Sequence, residues 1–140
     1  MEKAYTAKAK VIGGRDGSGE SSDGHLKVTL KFPKELGGDG KGTNPEQLFA
    51  VGYAACFDGA MGVVARNQKV NLGKFWIDSE VTLYKTPEGG FKLGVLLSVN
   101  TPEVDQQTAK AVVDQAHQIC PYSNATRGNI DVKLNVVGKQ

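Results

Sequence analysis

The sequence predicts an α+β protein whose elements follow the order ββ-α-ββ-α-β. Segments in which apolar and polar residues alternate indicate strands, and they occur near the start, in the middle and at the end of the chain. Two longer segments with apolar residues at helical spacing separate them. The 140 residues can form a hydrophobic core without disulfide or metal crosslinks, and they contain no repeat or linker. We therefore expect a single domain over residues 1–140.

The first two strands are predicted at residues 5–11 and 25–32. In the second strand, Leu26, Val28 and Leu30 alternate with polar residues at the two-residue period of a half-buried strand. Between the strands, residues 13–19 include four glycines. We expect this segment to be a flexible loop.

The first helix is predicted over residues 45–67. Thr43, Pro45 and Glu46 mark its start, because a capping residue, an early proline and a glutamate commonly open a helix. The segment that follows is apolar nearly all round. Such a pattern predicts a central, buried helix.

A hairpin and a second helix follow. Residues 75–85 and 91–100 are predicted as two strands around a turn at residues 86–90. The second helix is predicted over residues 102–120, and Pro121 ends it because proline disfavours a helical conformation in the preceding residue. Cys120 is thus expected at a helix end, on the apolar face. The last strand is predicted at residues 130–136.

Charge and composition argue against several classes of partner. The chain has 17 basic and 15 acidic side chains, a formal charge of +2, and its basic residues are spread out, which disfavours nucleic acid. We find no apolar leader and no apolar run long enough to span a bilayer, so we expect a soluble, cytoplasmic protein without a membrane partner. In a reducing cytosol a cysteine pair is more often catalytic or metal-binding than structural.

The candidate chemistry centres on the two cysteines, Cys56 and Cys120. A thiol that reduces peroxides needs a cation to hold the thiolate, an anion to hold the cation, and a second thiol to resolve the sulfenic acid. Arg15 and Glu46 are candidates for the charged pair. Each residue also has a plainer interpretation: an inert core thiol for either cysteine, a solvated loop charge for Arg15, and a capping box with Thr43 for Glu46. Spacing alone favours the cap.

Two other kinds of site are disfavoured. Zinc bound by Cys56, Cys120 and His25 or His117 lacks the second close ligand pair of structural zinc sites, so no metal is expected. The cysteines lie 64 positions apart, so they form no Cys-x-x-Cys redox motif, and no sequence rule requires them to meet.

Four sequence blocks resemble the organic hydroperoxide resistance proteins, within the wider family that includes the osmotically inducible protein OsmC. The blocks span nearly the whole chain: GGRDG at 13–17, GTNPEQLFA at 42–50, GYAACF at 52–57 and CPYSNATRGNIDV at 120–132. The Pro-Tyr-Ser that follows Cys120 is typical of the hydroperoxide resistance branch rather than of its relatives.

The resemblance implies an OsmC-like fold with antiparallel sheets packed on two central helices, assembled as an intertwined homodimer. It implies that Cys56 is the peroxidatic cysteine, Cys120 the resolving cysteine, Arg15 the residue that stabilises the thiolate and the peroxide, and Glu46 the residue that orients Arg15. The implied activity is thiol-dependent reduction of alkyl and fatty-acid hydroperoxides to alcohols through an intramolecular disulfide. No cofactor is expected beyond an external dithiol, which the resemblance implies is dihydrolipoamide on a lipoylated protein.

Three alternatives stay open. Membership of the OsmC branch, whose members also reduce peroxides, is disfavoured by the Pro-Tyr-Ser block at residues 121–123. A non-enzymatic redox sensor would use the same thiol pair but would oxidise only once. A general thiol-disulfide oxidoreductase is disfavoured by the wide cysteine spacing.

Overall fold

The computed structural model describes all 140 residues, and the chain divides into two compact units, Met1–Leu48 and Phe49–Gln140. The fold class is α+β, as predicted. The observed order is three strands, a helix, two strands, two helices and a strand, so one strand and one helix were missed. The strands form two separate three-stranded sheets, one in each unit.

The first unit contains an antiparallel sheet in the order β1-β2-β3, formed by β1 (Ala9–Ile12), β2 (Gly17–Ser21) and β3 (Lys27–Leu30). The flexible loop predicted at residues 13–19 is wrong from Gly17 onward, because Gly17 pairs with Leu30 of β3 and Gly19 pairs with both neighbouring strands. A side chain at Gly17 would lie 1.9 Å from the Ile12 carbonyl oxygen, so glycine here allows a close backbone approach. A 3₁₀ turn at Lys34–Leu36 follows β3.

The second unit contains a mixed sheet in the order β4-β5-β6, formed by β4 (Trp76–Lys85), β5 (Phe91–Asn100) and β6 (Val132–Val137). β4 and β5 form the predicted antiparallel hairpin, whereas β6 pairs parallel to β5. The expectation of purely antiparallel sheets is therefore wrong. Two helices, α2 and α3, connect β5 to β6. They return the chain to the end of the sheet where β5 begins, because two parallel strands must start at the same end.

Three helices complete the fold: α1 (Pro45–Gln68), α2 (Gln106–Ile119) and α3 (Pro121–Thr126). α2 begins four residues later than predicted, since Asp105 caps it by accepting a hydrogen bond from the Thr108 N–H at 3.0 Å. α3 was not predicted. Pro121 ends α2 as expected, but it also occupies the first turn of α3, where a proline costs no backbone hydrogen bond.

The core of the second unit lies between its sheet and its helices. It includes Tyr53, Phe57 and Met61 of α1, Leu97 and Val99 of β5, and Val112 and Val113 of α2, all fully buried. The prediction that α1 is buried all round is wrong, because Val51 is 71% exposed and Ala55 is also exposed. α1 thus has a core face and an apolar face that this chain leaves uncovered.

α1 is also long and apolar enough, by length and composition alone, to cross a membrane. The expectation that no apolar run reaches this length is therefore wrong. Between Glu46 and Arg66 the only charged residue is Asp58, and the small apolar residues around it keep the average hydropathy high. A third of the apolar stretch is buried in this chain.

Candidate functional site

The two thiols meet in the second unit. Cys56 is partly buried in the middle of α1, Cys120 is fully buried, and both are free. The Cys120 thiol donates a hydrogen bond to the Cys56 sulfur at 3.5 Å. Because a disulfide has a sulfur–sulfur distance of about 2.0 Å, a shift of roughly 1.5 Å would join the two atoms.

The break between α2 and α3 directs Cys120 toward α1. Cys120 has an extended backbone, with φ −63° and ψ 123°, so it ends one helix and starts the next. Its N–H donates to the Ala116 carbonyl at 2.8 Å, and its carbonyl accepts from the Asn124 N–H at 2.9 Å. Both backbone groups are thus satisfied at the kink, and the thiol belongs to neither helical surface.

The surroundings of Cys56 disfavour its thiolate in this reduced state. Burial raises the pKa of the Cys56 thiol above its ordinary value, and the backbone N–H of Tyr122 only partly opposes this effect. A thiol of this kind needs a cation if it is to react as a thiolate near neutral pH.

Arg15 and Glu46 form an ion pair in the first unit. The Arg15 guanidinium donates two hydrogen bonds to the Glu46 carboxylate, at 2.7 and 3.0 Å, in a bidentate arrangement. The hydrogen bonds from Arg15 hold the pKa of the Glu46 carboxyl below its ordinary value, and Glu46 raises the pKa of Arg15. Both groups are therefore charged at neutral pH, and the plane of the guanidinium is fixed.

The local fold explains where this pair lies. Arg15 is in the tight turn between β1 and β2, where Gly13 and Gly14 adopt positive φ and the Asp16 N–H donates to the Gly13 carbonyl at 3.1 Å. Glu46 is in the first turn of α1. Thr43 ties the residues before this helix to β3, because its N–H donates to the Thr29 carbonyl at 2.9 Å.

The capping interpretation of Glu46 is wrong. Asn44 supplies the cap, since its side-chain oxygen accepts from the Gln47 N–H at 2.9 Å. The Thr43 hydroxyl donates to the Gln47 side-chain oxygen at 2.6 Å and accepts no hydrogen bond from a backbone N–H of the first helical turn. The Glu46 carboxylate is consequently free to bind Arg15.

An apolar groove of about 860 Å³ lies in the second unit, and its lining includes Pro121, the residue after Cys120, but neither cysteine. Phe49, Pro121 and Tyr122 line one part of it, and the Phe49 and Tyr122 rings pack edge to face with centroids 5.8 Å apart. The sequence predicts a ring of Phe49, Tyr53 and Phe57 around Cys56. Only Phe49 of these lines the groove, because Tyr53 and Phe57 are fully buried.

Comparison with known proteins decides the family. Residues 38–135 match the model of the OsmC-like protein family. The chain belongs to this family. Its relatives include the organic hydroperoxide resistance protein of Xanthomonas axonopodis pv. citri (strain 306), which is 54% identical over 134 residues that cover 94% of each chain. Within the OsmC-like family, the chain groups with the organic hydroperoxide resistance proteins.

Solved structures of OsmC-like proteins share this fold. An organic hydroperoxide resistance protein of Legionella pneumophila is 56% identical, with a TM-score of 0.93 over 96% of this chain and 98% of that one. OhrB of Bacillus subtilis is 48% identical, with a TM-score of 0.87 over 95% of this chain and 98% of that one. The predicted OsmC-like fold is confirmed.

Other titratable groups of this OsmC-like chain lie near the thiols. His117 Nδ1 lies 2.8 Å from the Ser123 hydroxyl oxygen, and burial lowers the His117 pKa, which favours the neutral imidazole. Burial raises the pKa of Asp58. The chain contains no cluster of three or more His, Cys, Asp or Glu side chains that could hold a metal ion.

Sequence reasoning missed the part that Pro121, Tyr122 and Ser123 have in the site. The sequence block at 120–132 could have indicated these residues, because a proline, an aromatic residue and a hydroxyl residue directly follow Cys120. A helix of six residues is too short for the periodicity that would have placed these side chains.

Proposed function

We propose that this chain is a cysteine-based peroxidase that reduces organic hydroperoxides to alcohols and so protects against oxidative stress. The observation that carries the proposal is the 3.5 Å contact between the Cys56 and Cys120 sulfurs, in a chain whose relatives are named organic hydroperoxide resistance proteins. Two thiols at this distance can pass between dithiol and disulfide without refolding.

In the first step, the Cys56 thiolate attacks an oxygen of the hydroperoxide. The oxygen–oxygen bond breaks, the alkoxide leaves and is protonated to the alcohol, and Cys56 becomes a sulfenic acid. As the resemblance implies, Arg15 stabilises the thiolate and orients the peroxide oxygens, and Glu46 orients Arg15. The bidentate Arg15–Glu46 pair supports this assignment, because it keeps the guanidinium charged and its plane fixed.

In the second step, the Cys120 sulfur attacks the Cys56 sulfur and displaces the sulfenic oxygen as water. The product is the Cys56–Cys120 disulfide. An external dithiol then returns two electrons and two protons in two exchange reactions, and it leaves as its own disulfide. We propose dihydrolipoamide on a lipoylated protein as this reductant, and no metal or organic cofactor takes part.

The apolar groove supports a preference for alkyl and fatty-acid hydroperoxides. An organic tail buried along Phe49 and Tyr122 gains the hydrophobic contribution of its removal from water, about 0.8 kcal/mol per buried methylene. Hydrogen peroxide has no such tail. It would lose hydration without gaining this contribution.

We further propose that the protein works in the cytoplasm as a homodimer. The uncovered apolar face of α1 supports the dimer, because exposed apolar patches commonly mark protein interfaces. The proposed cycle returns Cys56 and Cys120 to free thiols, which a reducing compartment favours.

Titration with one equivalent of an alkyl hydroperoxide tests the proposal. Wild type should lose both thiols and gain one intramolecular disulfide, detected by the mass of the joined peptides. Cys120→Ser should stop at a Cys56 sulfenic acid, which dimedone traps. Cys56→Ser should not react. A wild-type protein that keeps both thiols, or a Cys56→Ser variant that reacts as fast as wild type, would contradict the proposed reaction.

A further inference from the structure

The position of the Cys120 sulfur depends on a very short helix. α3 has six residues, and a helix of that length is not stable by itself. The backbone of Cys120 is hydrogen-bonded both to α2 and to α3. Whatever holds α3 against its neighbours therefore also places the Cys120 thiol.

A buried hydroxyl network holds α3 in the second unit. The Tyr53 hydroxyl oxygen lies 2.8 Å from Ser123 Oγ and 3.3 Å from Thr126 Oγ1. Tyr53 and Ser123 are fully buried, and Thr126 is 6% exposed. Nδ1 of His117 also lies 2.8 Å from Ser123 Oγ. One serine hydroxyl thus links α3 both to α1 and to α2.

The network joins the same two segments as the sulfur contact. Tyr53 lies three residues before Cys56 on α1, so the two side chains share a face of that helix. Ser123 lies three residues after Cys120. Packing of the Tyr53 and Tyr122 rings, with centroids 5.6 Å apart, adds a second link between α1 and α3. The Tyr53–Ser123 contact therefore joins α1 to α3 about one helical turn from Cys56 on α1 and from Cys120 at the start of α3.

We infer that Tyr53 and Ser123 are positioning residues that keep the Cys120 thiol against Cys56, so that the Cys56 sulfenic acid closes to a disulfide before a second hydroperoxide reaches it. This inference rests on the proposed function. In closure, the sulfur–sulfur bond forms, the sulfur–oxygen bond breaks, and the oxygen leaves as water with the Cys120 proton. In the competing reaction, a second hydroperoxide transfers one oxygen to the sulfenic sulfur, giving a sulfinic acid and an alcohol.

Removal of either hydroxyl tests the inference. Tyr53→Phe keeps the ring, and Ser123→Ala removes the same contact from α3. Each variant should raise the ratio of Cys56 sulfinic acid to disulfide about fivefold, the factor expected for one net hydrogen bond. The ratio is measured by mass spectrometry after a pulse of alkyl hydroperoxide. It is independent of how fast Cys56 first reacts. Tyr84→Phe, which removes the hydroxyl of a 56% exposed tyrosine, should match wild type.

The double variant Tyr53→Phe/Ser123→Ala separates a shared contact from two unrelated effects. If both residues act through one hydrogen bond, the double variant should resemble the single variants. A wild-type ratio in both single variants would overturn the inference.

A measurement without peroxide keeps the inference separate from the proposed function. Equilibration with reduced and oxidised glutathione gives the stability of the Cys56–Cys120 disulfide, which Tyr53→Phe should lower about fivefold. If wild type is inert toward hydroperoxides but this shift appears, the proposed function fails and the positioning role stands. An unchanged glutathione equilibrium in both Tyr53→Phe and Ser123→Ala would remove the positioning role.

Discussion

At the scale of single residues, the chain has a partly buried thiol in its second unit and a charged pair that stays ionised in its first unit. Burial raises the pKa of Cys56, so its thiolate is the minor form near neutral pH. The hydrogen bonds from Arg15 lower the pKa of Glu46 below the ordinary glutamate value of 4.5. The carboxylate therefore loses its charge only at a pH below 4.5. Within the neutral range Glu46 does not titrate. The Arg15–Glu46 pair should therefore not contribute to the pH dependence of peroxide reduction in this range.

The Arg15→Ala variant tests the charge assignment. We expect the rate of Cys56 oxidation near neutral pH to fall roughly a hundredfold, the usual effect of removing one preorganised donor to a reacting anion. The rate in wild type should rise with pH as the thiol ionises, and in Arg15→Ala this rise should move to higher pH. Stopped-flow measurement of the reaction with an alkyl hydroperoxide gives both quantities.

Lys31→Ala is the matched control, because the Lys31 ammonium pairs with Asp16, next to Arg15, at 2.7 Å. It removes a cation bound to the same turn and should leave the profile unchanged. Equal losses in Arg15→Ala and Lys31→Ala, or an unshifted profile in Arg15→Ala, would mean that Arg15 does not act on the thiolate.

At the scale of elements, the turn between β1 and β2 carries Arg15, and one glycine allows it to form. A Cβ at Gly17 would lie 1.9 Å from the Ile12 carbonyl oxygen, closer than any relaxed side chain allows. We therefore expect Gly17→Ala to open this turn, displace Arg15 and lower the peroxide reduction rate about as far as Arg15→Ala does.

Gly19→Ala is the matched control, two residues further along β2. A Cβ at Gly19 meets only side-chain atoms at 3.5 Å or more, which is ordinary contact. This variant should keep its activity, as measured in the same stopped-flow assay, with both variants checked for folding by circular dichroism. An active Gly17→Ala protein would contradict the role of the turn.

Much of the architecture could be predicted at this scale. The β4–β5 hairpin, α1 and the end of α2 followed from periodicity and proline. β2 was missed because Gly17, Ser18 and Gly19 have no apolar alternation, although the close backbone approach at Gly17 requires a glycine. β6 runs parallel to β5 because α2 and α3 form the crossover between them. This was not predicted, since the six residues of α3 are too few to show a helical period of apolar residues. Pro121 predicted the helix end at Cys120. The meeting of two thiols 64 residues apart also depends on how this helix end packs against α1, which local patterns do not encode.

At the scale of the whole molecule, α1 has an apolar face that this chain does not cover. Val51 is 71% exposed and Trp76 is 46% exposed, and both line one surface depression of the second unit. The Ser79 hydroxyl beside them is buried without a hydrogen-bond partner. An incomplete set of contacts of this kind agrees with the proposed homodimer.

The dimer proposal predicts the effect of a charge on this face. Val51→Glu should sediment as a monomer near 14.9 kDa, whereas wild type should sediment at twice that mass, because an unpaired charge is costly to bury in an interface. Tyr84→Glu, which places a charge at an exposed aromatic residue outside this surface depression, should remain dimeric. A monomeric wild type in analytical ultracentrifugation would contradict the dimer.

The most direct test of the account is steady-state turnover by the whole protein. We would measure consumption of an alkyl or fatty-acid hydroperoxide and of hydrogen peroxide, with dihydrolipoamide as reductant, for wild type and Cys56→Ser. We expect continuous turnover that is faster on the organic substrate and abolished in Cys56→Ser. A single oxidation that then stops despite excess dithiol would contradict it and would favour a redox sensor.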